Sequence, residues 1–281
     1  MTKSWLITGC SSGLGAAIAE TALARGDRVA LTARDTDKLA SVSARYPSTA
    51  LSLPLDVTDP ASVASAITTA EEAFGTLDVF VNNAGFGVIG AIEEVSPAEY
   101  RQMFDTNVFG LIEATRAALP ALRRSRGTIV NMSSGSGIAT RAGFGLYSAS
   151  KFAVEAISEA LAMEVDPFGI RVLIVEPGAF RTDFLGRSMT IAVNHLPIYD
   201  QTAGSMRTLS EVMSGNQPGD PALAAEVILA AVDDMRAPLR LPLSPDAHQN
   251  IRRKLDALAR DMEAWSDRTT ATSFEQPEAS R

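Results

Sequence analysis

The chain has 281 residues, 46% of them apolar and 21% charged, a composition typical of a soluble globular protein and not of a disordered or membrane-embedded one. The net charge of −8 argues against a nucleic-acid partner, and the single cysteine excludes an intrachain disulfide. We therefore expect a cytoplasmic protein with no membrane segment, and no metal site, because His195 and His248 lack neighbours at metal-ligand spacing.

Apolar segments of strand length alternate with helical segments along the first third of the chain. We predict strands at residues 4–8, 28–33, 50–55 and 77–81, and further on at 128–130, 170–175 and 238–243. Helices should start at Asp59-Pro60, at the capping box Ser96–Glu99, at Asp220-Pro221 and at Ser244-Pro245. Strands separated by helices predict βαβ units, and therefore an α/β fold with a parallel sheet and right-handed crossovers.

A glycine-rich stretch follows the first predicted strand and leads into a helix. Gly9 would permit the tight turn that leaves the strand, Gly13 would let the backbone approach a diphosphate, and Gly15 would let the helix pack closely on the sheet. The helix N-terminus adds free N–H groups and the positive end of the helix dipole. We therefore predict a dinucleotide site formed by Gly9, Ser11, Ser12, Gly13, Leu14 and Gly15.

The end of the second predicted strand indicates which dinucleotide binds. NAD sites usually place a carboxylate there for the ribose 2′-hydroxyl, whereas NADP sites need a cation for the 2′-phosphate. Here Ala33 ends the strand and Arg34 follows, and a guanidinium matches a phosphate in charge and geometry. Asp35 and Asp37 leave NAD(H) as the alternative, because a bend shifted by two residues would bring one of them to the ribose. The sequence favours NADP(H).

A serine, a tyrosine and a lysine form the candidate catalytic group. Tyr147 and Lys151 stand four residues apart, so a helix places their side chains on one face. A fixed ammonium favours the phenolate, which predicts a Tyr147 pKa moved down from about 10 toward neutrality. Ser134 follows the predicted strand 128–130, and its hydroxyl can hydrogen-bond a substrate oxygen. Together these side chains predict acid–base chemistry on a carbonyl or an alcohol.

These motifs occur in a fixed order along the chain. The order is Thr8-Gly9-x-x-x-Gly13-x-Gly15, Asn82-Asn83-Ala84-Gly85, Asn107, Ser134, Tyr147-x-x-x-Lys151 and Pro177-Gly178. The ordered set resembles the short-chain dehydrogenase/reductase family over roughly residues 4–185. The resemblance implies one Rossmann-type, doubly wound domain over residues 1–265, with a seven-stranded parallel sheet, helices on both faces, a nicotinamide cofactor and no metal.

The catalytic roles of the family transfer to four matching residues. Tyr147 would be the general acid in reduction and the general base in oxidation, and Lys151 would hold the nicotinamide ribose and lower the pKa of the phenol. Ser134 would orient and polarise the carbonyl. Asn107 would kink its helix, where asparagine has poor propensity, and anchor a water of the proton relay.

The resemblance also assigns residues to the cofactor. Asp56 and Val57 would contact the adenine. The adenosine ribose side would be lined by Asn83, Ala84 and Gly85, and the nicotinamide would face Pro177, Gly178 and Thr182, with Thr182 near the carboxamide. Tyr147 and Lys151 complete this set.

The pattern loosens after Thr182, and residues 183–219 show no firm period. Family members close this region over the substrate, so we expect a lid there, and a disordered polar tail over residues 266–281. In running on past the last strand, the chain is more like the hydroxysteroid, retinol and carbonyl-reducing members. An apolar or aromatic substrate is indicated, with plain core as the alternative, by Phe86, Ile138, Phe144, Phe180, Phe184 and Leu185.

Two functions from different classes follow from these observations. The first is an NADP(H)-dependent oxidoreductase that transfers hydride between nicotinamide and a ketone, an aldehyde or a secondary alcohol. The second is a catalytically silent, NADP(H)-binding regulator that senses redox state, because a fold does not fix a function. The presence of Ser134, Tyr147 and Lys151 favours the enzyme. By resemblance alone, we expect a homodimer or homotetramer.

Overall fold

The computed structural model describes residues 2–274 and contains one seven-stranded sheet and one two-stranded sheet. The strands are β1 Ser4–Ile7, β2 Arg28–Ala33, β3 Ala50–Pro54, β4 Val79–Asn82, β5 Gly87–Ile89, β6 Thr128–Met132, β7 Arg171–Pro177, β8 Met189–Ile191 and β9 Arg240–Leu243. The large sheet is parallel throughout and has the order β3-β2-β1-β4-β6-β7-β9. The predicted α/β fold with a seven-stranded parallel sheet is confirmed.

Helices follow the strands in the alternation that the sequence predicts. They are α1 Gly13–Ala24, α2 Ala40–Arg45, α3 Pro60–Phe74, α4 Pro97–Phe104, α5 Leu111–Ser125, α6 Gly145–Val165, α7 Gly204–Met213, α8 Pro221–Asp233, α9 Pro245–Ala264 and α10 Ser266–Thr269. Asp59 and Asp220 cap their helices through N–H donors of Ala61 and Ala222, and Ser96 forms the predicted capping box. Within residues 2–274, none of the helices is long and apolar enough to cross a bilayer.

Each face of the large sheet carries its own hydrophobic core. Along β1, Trp5 and Ile7 point into one core, which α1 and α8 cover. Leu6, between them, points into the other, which α3, α5 and α6 cover. This alternation is the two-residue period of a strand, and it explains why the strands read as continuous apolar runs: both of their faces are buried.

A buried row of polar side chains connects the middle of the sheet to the helices beside it. Asn82 donates to Thr115 Oγ1 and to Asn131 Oδ1, each at 2.8 Å, and Asn131 donates to Ser158 Oγ at 2.8 Å. These bonds join β4, β6, α5 and α6. Because each buried amide has its partner, the row fixes the position of α6, which carries the candidate catalytic pair, relative to the strands.

Several elements were not predicted from the sequence. β5 pairs in parallel with β8, which lies about a hundred residues later in the chain, and α7 lies in the stretch that showed no period. Residues Asp105–Gly110 form a π-helical turn between α4 and α5; a distortion of this helix is expected at Asn107 from the resemblance, but its π-helical form is not. These features depend on long-range packing, whereas sequence periodicity reports only local structure. The β5–β8 pair brings the segment after β7 back over the carboxyl edge of the sheet.

Glu94 holds the segment after β7 in place through Leu196 and Arg207. Its carboxylate is completely buried and accepts hydrogen bonds from the N–H groups of Ala91 at 2.8 Å and Leu196 at 2.9 Å. Arg207 of α7 adds an ion pair at 2.6 Å. Burial by itself would raise the pKa of Glu94, but these donors and the guanidinium hold it below its usual value. Glu94 is therefore a charged anchor for the segment.

The C-terminal tail differs in part from the prediction of disorder over residues 266–281. Residues Ser266–Thr269 form a helical turn and Thr270–Thr272 continue it as a 3-10 turn. The Thr270 hydroxyl donates to Ser266 O at 2.7 Å, and the Arg268 guanidinium lies 4.7 Å from the Trp265 ring centre. These local contacts order the turn although it is exposed. The part of the prediction that concerns residues 275–281 lies outside the described residues.

Replacement of Glu94 by alanine should destabilise the protein by about 3 kcal/mol, because Arg207 would lose its buried partner. Denaturant unfolding of Glu94→Ala and the wild type measures the difference. Glu93→Ala is the matched control: Glu93 is exposed and binds Tyr199 at the surface, so its loss should cost less than about 1 kcal/mol. Equal destabilisation by the two substitutions would contradict the anchoring role of Glu94.

Candidate active site

A cavity of about 1030 Å³ opens along the carboxyl edge of the large sheet. Its wall includes most of the residues predicted from the sequence: Gly9, Ser11, Ser12, Gly13, Leu14, Arg34, Asp56, Val57, Asn83, Ala84, Gly85, Ser134, Tyr147, Lys151, Pro177, Gly178 and Thr182. Gly15 and Asn107 do not line the cavity, but each contacts a residue that does: Gly15 lies against Asn83, and Asn107 forms hydrogen bonds with Phe86. Parallel strands end at the same edge, which is why segments far apart in the chain meet here.

The glycine turn has the geometry that close approach of a ligand requires. Gly9 and Gly13 have φ values of +73° and +64°, a region that favours glycine. A side chain at Gly15 would collide with the Asn83 amide and with Gly9 O, so α1 can lie against the turn only because this residue is glycine. Ser12 makes no side-chain cap bond, and the first turn of α1 contains no acidic residue. The N–H groups of that turn are therefore available to an anion.

Asn83 and Thr8 hold the glycine turn in place. The Asn83 amide donates to Thr8 O at 2.8 Å and to Gly9 O at 2.9 Å. The Thr8 hydroxyl accepts from the N–H groups of Asn83 and Ala84, at 2.8 and 2.9 Å. The turn after β1 and the turn after β4 thus form one hydrogen-bonded unit.

The far end of the cavity is lined by Arg34 and Asp56. The Thr58 N–H and, less strongly, the Thr58 hydroxyl and the Arg34 charge lower the pKa of Asp56, so it is ionised at neutral pH. Asp35, the acidic competitor, accepts from Asp37 N–H at 3.2 Å and pairs with Lys38 at 3.2 Å, and it does not line the cavity. The charge that faces this end after β2 is therefore the exposed guanidinium of Arg34.

Tyr147, Lys151 and Ser134 lie together in the middle of the cavity. Tyr147 and Lys151 are both buried on α6, and Lys151 Nζ donates to Met132 O at 2.8 Å. Ser134 Oγ is within hydrogen-bond reach of the phenol, accepts from Ser136 N–H at 3.1 Å and donates to Pro177 O at 3.5 Å. A hydroxyl, a phenol and an ammonium therefore converge beside the turn that follows β7.

The predicted pKa of Tyr147 needs correction. Burial raises it to about 12, and the hydrogen bond with Ser134 only partly opposes this rise. Burial also lowers the pKa of Lys151 to about 8. Desolvation of the buried phenolate is the largest cause of this shift, and it does not show in the local spacing of Tyr147 and Lys151. Without a ligand, Tyr147 is therefore a neutral phenol at physiological pH.

Asn107 lies at the centre of the π-helical turn and is 2% exposed. Its amide accepts from Phe86 N–H at 3.0 Å and donates to Phe86 O at 2.8 Å and Ser150 Oγ at 3.1 Å. Ser150 in turn donates to Tyr147 O at 2.7 Å. A tight α-helical turn does not supply this geometry, and π-helical turns often occur at functional sites. Asn107 thus connects the turn after β4 to α6, which carries Tyr147 and Lys151.

The nicotinamide end predicted from the sequence is formed by the turn after β7. Gly178 has no space for a side chain, because Ser244 and Asp246 occupy it. Asp246 accepts from Ala179 N–H at 3.1 Å, so the start of α9 supports this turn. Thr182 accepts from Phe184 N–H at 3.3 Å and lines the cavity.

Aromatic and other apolar side chains line the cavity around Tyr147. Phe144 and Phe184 lie 5.7 and 6.1 Å from Tyr147, measured between ring centres. Of the flanking residues expected from the sequence, Ile138 is outside the cavity wall, whereas the other five line it. Sequence reasoning did not identify the contributions of α7, which are Met206, Leu209, Ser210 and Met213. Methionine and leucine there carried no signal of a site, because the same residues are common in cores.

Sequence reasoning also missed three charged residues under the site: Glu155, Glu176 and Arg240. One signal was available, since Glu176 directly follows four apolar residues of β7 and a glutamate is unusual at a buried position.

The chain is similar to known proteins along most of its length. The family model described as short chain dehydrogenase matches residues 3–190. Oxidoreductase BOA17 of Botryotinia fuckeliana (strain B05.10) is 35% identical over 275 residues, which cover 97% of this chain and 100% of that protein. A short-chain dehydrogenase from Streptomyces avermitilis has a crystal structure with a TM-score of 0.91 and 44% identity, covering 98% of this chain and 100% of the other. An alcohol dehydrogenase from the archaeon Thermococcus sibiricus, complexed with 5-hydroxy-NADP, has a TM-score of 0.70 and 26% identity, covering 86% and 94%.

Proposed function

This chain belongs to the short-chain dehydrogenase family, and we propose that it is an NADP(H)-dependent oxidoreductase acting on a ketone, an aldehyde or a secondary alcohol. The observation that carries the proposal is the convergence of Ser134, Tyr147 and Lys151 on one cavity at the carboxyl edge of the sheet. The alternative of a catalytically silent regulator has no support among the relatives.

The cofactor proposal rests on the wall of the cavity. The Thermococcus sibiricus relative is complexed with 5-hydroxy-NADP. In this chain, the open first turn of α1 suits the diphosphate, and Arg34 suits a 2′-phosphate in charge and geometry. Pro177, Gly178 and Thr182 would hold the nicotinamide, and Lys151 its ribose. When bound, the cofactor supplies or accepts the hydride.

The side chains of this chain would handle the proton. In reduction, Tyr147 donates its phenolic proton to the substrate oxygen as hydride reaches the carbon, and a pKa of about 12 keeps that proton in place at neutral pH. Ser134 donates a hydrogen bond to the same oxygen and polarises the carbonyl. The Lys151 ammonium stabilises the phenolate that remains. In oxidation, the proton moves in the opposite direction, and Tyr147 is the base.

The segment of residues 183–219 would serve as the lid. It contributes Phe184 and the cavity-facing side of α7, including Met206. The β5–β8 pair and the Glu94 anchor support it. Such a cover excludes water from the reaction, and its apolar lining favours a substrate with an apolar or aromatic body.

We also propose that the protein forms a homodimer or homotetramer through α6. One exposed face of this helix carries Phe152, Ala156, Ala160 and Met163, at spacings of four, four and three residues. Phe152 and Met163 are 42% and 70% exposed, and the two alanines between them would let a second helix approach closely.

Replacement of Tyr147 by phenylalanine should lower the rate of carbonyl-dependent NADPH oxidation by at least about 100-fold, because the proton donor is lost. The rate is followed at the nicotinamide absorbance band with a panel of ketones and aldehydes. NADPH binding, measured by fluorescence, should remain. Tyr199→Phe, which changes a half-buried tyrosine outside the cavity wall, is the control and should leave the rate unchanged. An active Tyr147→Phe enzyme would contradict the proposed mechanism.

Replacement of Arg34 by alanine should weaken NADPH binding by about 10- to 100-fold and leave NADH binding nearly unchanged, because a charged hydrogen bond to the 2′-phosphate is lost. Fluorescence titration with both cofactors gives the two dissociation constants. Lys38→Ala removes a nearby surface cation that pairs with Asp35 and is the matched control. If Arg34→Ala kept the wild-type preference, Arg34 would not be the specificity residue.

Replacement of Ala160 by arginine should reduce the size of the oligomer, since a charged side chain would then stand in the centre of the α6 contact. Sedimentation velocity of the wild type and the variant measures the size. Arg123→Ala, at the exposed end of α5, serves as the control. A wild-type protein that sediments as a monomer would rule out the proposed assembly.

A further inference from the structure

Three charged side chains form a buried cluster beneath the candidate active site. Glu155 of α6 is 4% exposed and Glu176 of β7 is 1% exposed. Arg240 of β9 lies between them, with Nε 3.2 Å from Glu155 Oε2 and 3.6 Å from Glu176 Oε1. Its Nη2 also reaches the exposed Glu159 at 2.8 Å. Burying a carboxylate costs free energy, so a cluster of this kind indicates a functional role.

The position of the cluster places it next to the candidate catalytic residues. Glu155 follows Lys151 by one turn of α6 and Tyr147 by two turns, so the three residues share one helix face. Glu176 directly precedes Pro177, the residue whose carbonyl accepts from Ser134. Ser133, next to Ser134, and Glu155 both lie against Gly137, which has no side chain to separate them. The cluster thus lies directly beneath the segments that carry Tyr147, Lys151 and Ser134.

The charges of the cluster do not balance. The charged groups that face Glu155 are Lys151 and Glu159 on α6, Glu176 on β7 and Arg240 on β9. Three carboxylates, one of which is exposed, share the guanidinium of Arg240. Among residues 2–274, Glu176 Oε1 has no hydrogen-bond partner, whereas Ser133 lies beside Glu155 as a donor that lowers its pKa. An excess of negative charge therefore remains below Lys151, whose Nζ donates to the carbonyl of Met132.

We propose that Glu155, held by Arg240 and backed by Glu176, is a positioning residue that keeps Lys151 in its ammonium form. The cluster thereby sets the upper pH limit of the reaction, which rests on the proposed function of Tyr147 and Lys151. Glu155 contacts neither substrate nor cofactor. It acts through the charge of Lys151.

Burial and the neighbouring charges set the titration of these groups. Burial raises the pKa of Glu155, and the Ser133 hydrogen bond and the Arg240 guanidinium oppose this rise and so favour the carboxylate. Burial lowers the pKa of Lys151 to about 8, and the charge of Glu155 opposes that fall. Burial and the neighbouring Glu155 raise the pKa of Glu176 to about 7. Above pH 7, Glu176 is therefore ionised, and the negative charge of the cluster is largest in the range where Lys151 would lose its proton. Lys151 is an ammonium below pH 8 and loses this charge as the pH rises through 8.

The test is a direct titration of Lys151 by NMR. The chain contains four lysines, Lys3, Lys38, Lys151 and Lys254, so the 13Cε signals of lysine-labelled protein can be assigned by the loss of one signal in Lys151→Met. We expect a Lys151 midpoint near pH 8 in the wild type. Glu155→Gln should lower it by about one pH unit, and Glu176→Gln by less, because each removes a nearby negative charge. The pH above which the rate of carbonyl reduction falls should be about one unit lower in Glu155→Gln than in the wild type.

Glu159→Gln is the matched control, since Glu159 binds the same guanidinium but lies at the surface; its Lys151 midpoint should equal that of the wild type. A structural role alone would lower activity equally at all pH values and leave the midpoint in place. An unchanged midpoint in folded Glu155→Gln overturns the inference, even if Tyr147→Phe proves the proposed function correct. Should Glu155→Gln fail to fold, Glu176→Gln decides: a lowered midpoint supports the inference and an unchanged one overturns it.

Discussion

The hydrogen bonds of the Asn107 side chain are the constraint on which the geometry of the site depends. A single amide bonds to both backbone groups of Phe86 and to Ser150 on the catalytic helix. To reach them, the chain gives up α-helical geometry over Asp105–Gly110. The bonds fix the distance between the turn after β4 and the helix that carries Tyr147 and Lys151. The turn after β4 and α6, which line two sides of the cavity, are thereby held in a fixed relative position.

Burial controls the protonation of Tyr147 and Lys151. Burial makes the phenolate of Tyr147 unfavourable and the ammonium of Lys151 costly, so both groups move toward their neutral forms. A neutral phenol is the form that an acid in carbonyl reduction requires. A neutral lysine is not the form required, and the negative cluster of Glu155 and Glu176 lies where it can oppose that change. In the proposed role, the negative charges of Glu155 and Glu176 stabilise the positive charge of Lys151.

Local sequence signals predicted those parts of the structure that depend on neighbouring residues. The caps at Asp59, Ser96 and Asp220 follow from side chains that bond to their own helix turns, and they are present. The seven strands of the large sheet follow from apolar runs, and each lies within two residues of its predicted bounds. The order of the motifs along the chain indicated the family, and the resemblance to that family predicted a seven-stranded parallel sheet.

The sequence by itself therefore determined the fold class, the family and the set of residues that can carry acid–base chemistry, because those depend on residue types at fixed short spacings. Only the tertiary structure decided how these residues behave. The pKa of Tyr147 follows from its burial, with Phe144 and Phe184 packed against the ring, and from the hydrogen bond with Ser134. The β5–β8 pair and the wall formed by α7 need contacts between segments about a hundred residues apart. Desolvation and long-range pairing are properties of the packed chain, and no local pattern encodes them.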